Sequence, residues 1–331
     1  MYLLFSKVYI LSTIMLIGVL IATLSMPLLE AGEGKPIVLA TTSVLASIVR
    51  DLAGDRVIVE VIASPSICPA HYDVKPSDVE KVREASLILR HGFEPWVEDL
   101  VKASGSNASI VNIKGPWNTP RFLREKYVAV ANILNEYLDI NVSVNLERCL
   151  RVINKTSEWL KSFAEENGFT GTPVVAMKWQ EGFLSFLGFN IVASYGPPEK
   201  VTPRQYEELI MNATEKNALL VVDNLQSGTE LGRKIASEIN GVEVALTNFP
   251  GTAPRLDNMT EVMKYNAQLL AQALYFARLK STSISIGSLY EEITSAQQEA
   301  TLWKYAFLFS MVVNIVLAVG VASLAIKLKK R

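Results

Sequence analysis

The chain has 331 residues, half of them apolar by type (50%) and a fifth charged (20%), a composition too hydrophobic for a disordered chain. With 32 Lys and Arg against 33 Asp and Glu the net charge is -1, so the positive excess that phosphate recognition needs is missing and no nucleic-acid partner is expected. Two Cys exclude a disulfide-dense scaffold, and two His limit any His-built metal site.

In chain order, the first feature is an apolar run from Val8 to Leu29 behind Lys7 and ahead of the polar Glu30 to Lys35. Residues 1–31 read as a signal peptide or signal anchor, with cleavage open because no clear small-x-small site ends the run. After Pro36, short β-branched runs alternate with helical ones: a strand over Ile37 to Ala40, a helix over Ser43 to Leu52, and a strand over Val57 to Ile62. A helix starting at Lys75-Pro76-Ser77-Asp78 follows, then strands at Leu87 to Leu89 and Ile110 to Ile113. From Leu146 the apolar positions Leu150, Ile153, Leu160 and Phe163 keep helical spacing until Asn167-Gly168, which predicts a long connecting helix. A second set of strands is expected at Val174 to Met177, Ile191 to Ala193, Leu219 to Val222 and Val242 to Leu246.

The predicted fold is α/β: two doubly wound lobes, 36–142 and 171–280, joined by a connecting helix over 143–170. Beyond them come a stalk over 281–302 with Leu289, Ile293 and Ala296 on one side, a transmembrane helix over 303–326 and a cytoplasmic tail over 327–331. The span is read from Tyr305 to Ile326, which contains no Asp, Glu, Lys or Arg, with Trp303 before it and Lys327, Lys329, Lys330 and Arg331 after it. The charge asymmetry places the C-terminus in the cytoplasm and the body outside the cell. A single-pass cell-membrane protein with an extracellular body is therefore expected.

Ligands of open parallel sheets bind at the carboxyl ends of strands. Both histidines fall on such loops, His71 in Cys68-Pro69-Ala70-His71-Tyr72-Asp73 and His91 in His91-Gly92-Phe93-Glu94-Pro95-Trp96. Cys68 lies three residues before His71, so the two are candidates for one ion together with His91, Glu181 or Asp223. Thiolate and imidazole ligands suit zinc better than manganese. Each residue also has an ordinary reading: Cys68 in a disulfide with Cys149 or as a buried thiol, Asp223 as a helix cap, and Glu181 paired with Lys178 on a solvated face. Trp179 and Trp96 either wall a cleft or fill cores. No nucleophile elbow, P-loop or dinucleotide fingerprint is present, and no enzyme is expected.

Between about Ile37 and Leu274 the sequence resembles the zinc- and manganese-type solute-binding proteins of metal ABC importers. The resemblance rests on Thr41-Thr42-Ser43 through Leu52-Ala53-Gly54-Asp55, on the His71 loop ending in Lys75-Pro76-Ser77-Asp78, and on His91 to Trp96. It continues through Trp117-Asn118-Thr119-Pro120, Gly188-Phe189, Val201-Thr202-Pro203 and the closing helix Met263 to Leu274. It implies two lobes on a rigid helix that hold a divalent ion, zinc or manganese, as transported ligand, with an ABC permease in the membrane as partner. The family's four ligand positions fall on Ala70, one residue before His71, on Gly115, on Met177 or Lys178, and on Thr247 or Asn248. The inherited ligand set is thus largely replaced, and an adhesion or sensory protein that keeps the two-lobe fold without metal is the alternative.

Overall fold

A computed structural model describes residues 34–329, with the side chains of residues 284, 312–319 and 321–329 outside the description. Two four-stranded parallel sheets carry the fold. The first contains β1 (Ile37–Ala40), β2 (Ile58–Val61), β3 (Leu87–Arg90) and β4 (Ser109–Asn112) in the order β2-β1-β3-β4. The second repeats that winding with β5 (Pro173–Met177), β6 (Asn190–Tyr195), β7 (Leu220–Asn224) and β8 (Val242–Leu246) in the order β6-β5-β7-β8. Val38 stands opposite Val59 and Leu87, and Val174 opposite Ile191 and Leu220. These inner strands are apolar on both faces because helices cover both.

In the first half, α1 (Ser43–Ala53), α2 (Pro76–Glu84) and α3 (Val97–Ser104) connect the strands; in the second, α6 (Glu181–Phe186), α7 (Pro203–Glu215) and α8 (Glu230–Glu238) do so. Between the sheets run α4 (Pro120–Leu138) and α5 (Ser143–Glu166). The helix α4 was not expected from the sequence, although its signals are conventional. Thr119 Oγ1 accepts from Phe122 N, Pro120 occupies the first turn, and Leu123, Tyr127, Val130 and Leu134 form its buried face.

The connecting helix α5 buries Cys149, Ile153, Thr156, Leu160 and Ala164, spaced by three or four residues. It packs on α1, on α4 and on the closing helix α9 (Met259–Lys329), so the inner faces of both sheets share one continuous core. The outer faces have separate cores under α2 and α3 and under α7 and α8.

The closing helix, the stalk and the expected span form a single helix, α9, rather than separate elements. Among the described residues its last buried one is Ala277, and Lys280 Nζ donates to Gly241 O at 3.2 Å. Among the described residues no helix is long and apolar enough to cross a membrane. The expected span over 303–326 falls mostly on residues whose side chains are outside the description, and the expected signal segment, 1–31, lies outside the described residues altogether.

Candidate functional site

His71 ends the tight 3-10 turn Pro69–His71 that follows β2. The turn is tied on both sides. Trp96 Nε1 donates to Pro69 O at 2.8 Å, while Tyr72 packs on Trp96 with ring centroids 5.3 Å apart and donates its hydroxyl to Asp78 Oδ2 at 3.0 Å. With the neighbours turned inward, the His71 imidazole points outward and is exposed; Cys68, at the start of the turn, is half-buried.

Cys68, Ala70 and His71 form one lip of a cleft of about 720 Å³. The opposite wall comes from the carboxyl ends of β5, β6 and β7, with Lys178, Trp179, Glu181, Tyr195 and Gln226. Three of the five expected site residues, Cys68, His71 and Glu181, thus line one cleft between the sheets. Trp179 walls it, 48% exposed, whereas Trp96 is a core residue. Cys68 and Cys149 are free thiols, and Cys149 lies on the buried face of α5.

His91 does not join them. Its ring is buried between Trp117, 4.2 Å away, and Phe93, 5.5 Å away. Nδ1 lies 3.3 Å from Ile113 O, which can only accept, so Nδ1 carries the proton and donates. Nε2 is then the acceptor for the Thr42 hydroxyl at 2.9 Å. No lone pair is left for an ion. Burial pushes the imidazole pKa down to about 4, against the opposing pull of the Glu94 carboxylate, so His91 is neutral at physiological pH. Glu94 is buried as well, which by itself disfavours its charge. Hydrogen bonds from Thr41 Oγ1 at 2.6 Å and His91 N at 2.9 Å outweigh that and hold its pKa below the usual carboxylate value. His91 and Glu94 organise the loop after β3, and the structure does not bring His91 to the cleft that His71 lines.

Asp223 is also displaced from the cleft. It is fully buried at the end of β7, on the face covered by α7 and α8, and accepts the Tyr195 hydroxyl. A Cβ at Gly232 would collide with its carboxylate, which packs directly on the first turn of α8. Burial, aided by the charge of Glu243, raises its pKa to about 7 despite the Tyr195 hydrogen bond. Asp223 is neither a cap nor a residue of the cleft wall.

Two of the positions that the resemblance gives to family ligands have other uses. Gly115 has φ +89°, and Lys126 Nζ stands 3.3 Å from where its Cβ would be, donating to Lys114 O. The Lys126 ammonium is pushed to a lower pKa by burial. At the other position, Asn248 accepts Trp117 Nε1 on its carbonyl at 2.8 Å, and its N–H donates to Gln226 Oε1 at 3.2 Å. Gln226 Nε2 reaches Pro65 O at 2.9 Å and Asn118 Nδ2 reaches Trp179 O at 2.8 Å. The bonds of Trp117 to Asn248, Gln226 to Pro65 and Asn118 to Trp179 staple the two halves together beside the cleft. Lys126 and the staples were missed from sequence, because their meaning depends on partners more than fifty residues away or on a cation folded back onto a glycine. Among the described residues no three His, Cys, Asp or Glu side chains stand together closely enough to hold a metal as placed.

Residues 38–168, the first sheet with α4 and α5, match the family model described as ZnuA, zinc-uptake complex component A, periplasmic. The uncharacterized protein RP014 of Rickettsia prowazekii (strain Madrid E) is 25% identical over 211 residues, 58% of this chain and 68% of that protein. The manganese ABC transporter substrate-binding lipoprotein PsaA of Streptococcus mitis is 32% identical over 80 residues, only 22% of this chain and 26% of the lipoprotein. The periplasmic zinc-binding protein TroA of Treponema pallidum superposes with a TM-score of 0.62 at 16% identity, covering 73% of this chain and 99% of TroA. The resemblance to the zinc- and manganese-type solute-binding proteins holds, and the architecture of two parallel sheets and a long helix is theirs.

Proposed function

We propose that this chain, built on a ZnuA-type domain, is the membrane-tethered extracellular solute-binding component of an importer for a divalent metal ion, with zinc as the cargo. The observation that carries the reading is the cleft between the two sheets, where Cys68 and His71 on one lip face Glu181 on the other. A thiolate, an imidazole and a carboxylate are a zinc-type donor set, and three protein ligands leave a fourth position for water, which suits a cargo that has to leave again. His71 is exposed and Cys68 is half-buried, so the ion is captured by side chains rotating toward one another across a stapled cleft. Lys126 keeps cations off the position that a family ligand would occupy. No chemistry is done on the cargo. The apolar run Tyr305 to Ile326 with its basic end supplies the tether, and an ABC permease in the same membrane is the partner.

The test is thermal melting of the purified chain with zinc and with manganese. A ligand at a hundredfold its Kd stabilises the native state by about 2.7 kcal/mol. The wild-type chain should melt higher with stoichiometric zinc, and His71→Ala and Glu181→Gln should abolish the shift without lowering the metal-free melting point. Equal melting with and without either metal would discard the cargo assignment in favour of an adhesion or sensory role for the same fold.

A further inference from the structure

Beyond Lys280 the helix α9 leaves the body, yet its sequence is not that of a free helix. Leu279, Thr282, Ile286, Leu289, Ile293, Ala296, Ala300 and Trp303 follow one another at spacings that alternate strictly between three and four residues. That is the a/d pattern of a two-stranded coiled coil, sustained over more than three heptads and about 36 Å of helix. The large members are bare: Ile286 is 63% exposed, Leu289 56% and Trp303 71%. On the other side of the helix the hydroxyls of Thr294 and Thr301 bond back to Tyr290 O and Gln297 O, so the polar face is satisfied within the helix while the apolar stripe is not.

We propose that this stripe pairs with the same stripe of a second copy of the chain as a parallel coiled coil. The flanking charges select both partner and direction. Toward the C-terminal end of the stripe Glu292 and Glu299 occupy g positions, and Gln297 and Lys304 e positions. In a parallel pair each g residue faces the e residue five places further along the other copy, which sets Glu299 against Lys304 twice, once on each side. An antiparallel pair would set the glutamates of the two copies against each other. The segment is also rich in Ser, Thr and Gly, poor helix formers, so an unpartnered helix of this length would be marginal in water, and burial of the stripe supplies the missing stabilisation. Anchoring two copies in one membrane would raise their mutual concentration, but the pairing is encoded in the stalk and does not depend on what the cleft binds.

The experiment is oxidative cross-linking of the full chain in membranes of expressing cells, in a Cys68→Ser, Cys149→Ser background. Leu289→Cys and Ala296→Cys should give covalent dimers at least tenfold more efficiently than Gln298→Cys on the opposite face. Lys304→Glu should reduce the Ala296→Cys dimer severalfold, and Glu299→Lys combined with Lys304→Glu should restore it. Cross-linking that is equal on all faces, absent at Leu289 and Ala296, or directed to a different membrane protein would overturn the pairing. The metal-free melting point of each variant reports that the body is intact.

Discussion

Asp223 and Glu243 are a pair of carboxylates in an environment unlike that of ordinary surface acids. Neither Asp223 Oδ2 nor Glu243 Oε1 has a hydrogen-bond donor among the described residues, and the pKa values of both are raised, first of all by burial. Each carboxyl acts on the other, and the charge of Glu243 favours the protonated form of Asp223. Because the folded-state pKa of Asp223 is raised to about 7, the neutral acid stabilises the native state fully below the unfolded pKa near 4, and that contribution is lost as pH rises through 7. A shift of this size is worth on the order of 4 kcal/mol across the window. Asp223→Asn keeps an acceptor for Tyr195 and adds a permanent donor for Glu243. Its melting point should therefore be nearly independent of pH between 5 and 8, and higher than wild type at pH 8; a variant that follows the wild-type profile would remove Asp223 as the source. A second residue-scale expectation concerns Gly115. Because φ there is +89° and Lys126 Nζ stands close to the Cβ position, Gly115→His should lower stability by about 1–3 kcal/mol in chemical denaturation and add no metal binding.

At the scale of elements, the long helix α5 is the clearest case of a segment legible in advance. Its apolar positions repeat at helical spacing and end at Asn167-Gly168, and those positions are the ones that meet the core. Leu160 is fully buried in that core, so Leu160→Ala should cost about 2–5 kcal/mol in urea unfolding, with little change in the slope. The inner strands β1, β3, β5 and β7 were legible for the same reason, since apolar runs buried on both faces have few alternatives. Helix α4 was not anticipated because its start, Thr119-Pro120, sits directly after the Trp117 motif and its apolar stripe is diluted by Arg121, Arg124, Glu125 and Lys126. Helix α9 was divided into three pieces by composition, although the backbone runs through them without a break.

On the scale of the whole molecule, two independently wound sheets are held as one body by α5, by the shared core and by a few hydrogen bonds beside the cleft. Gln226 makes one of these, to Pro65 O, and is itself held by Thr247 Oγ1 and by Asn248 N within its own half. Gln226→Ala leaves buried partners unsatisfied and should destabilise by roughly 1–3 kcal/mol. It should also accelerate hydrogen exchange around residues 65–71; unchanged exchange there would mean that the core alone fixes the two halves. Under the proposed function, these cross-links favour cargo entry through side chains on the cleft lips over rotation of the lobes.

Local pattern determined the alternation of strands and helices, the connecting helix, and the fact that Cys68, His71, His91 and Asp223 all lie near strand ends. Strand and helix periodicities are set within a few residues, so they can be read from a few residues. Which way each side chain turns was decided only by the tertiary structure, because that depends on distant partners. Trp117, Thr42 and Ile113 draw His91 inward, Gly232 and Glu243 take Asp223 behind the sheet, and Trp96 and Asp78 hold the turn that leaves His71 exposed on the lip of the cleft.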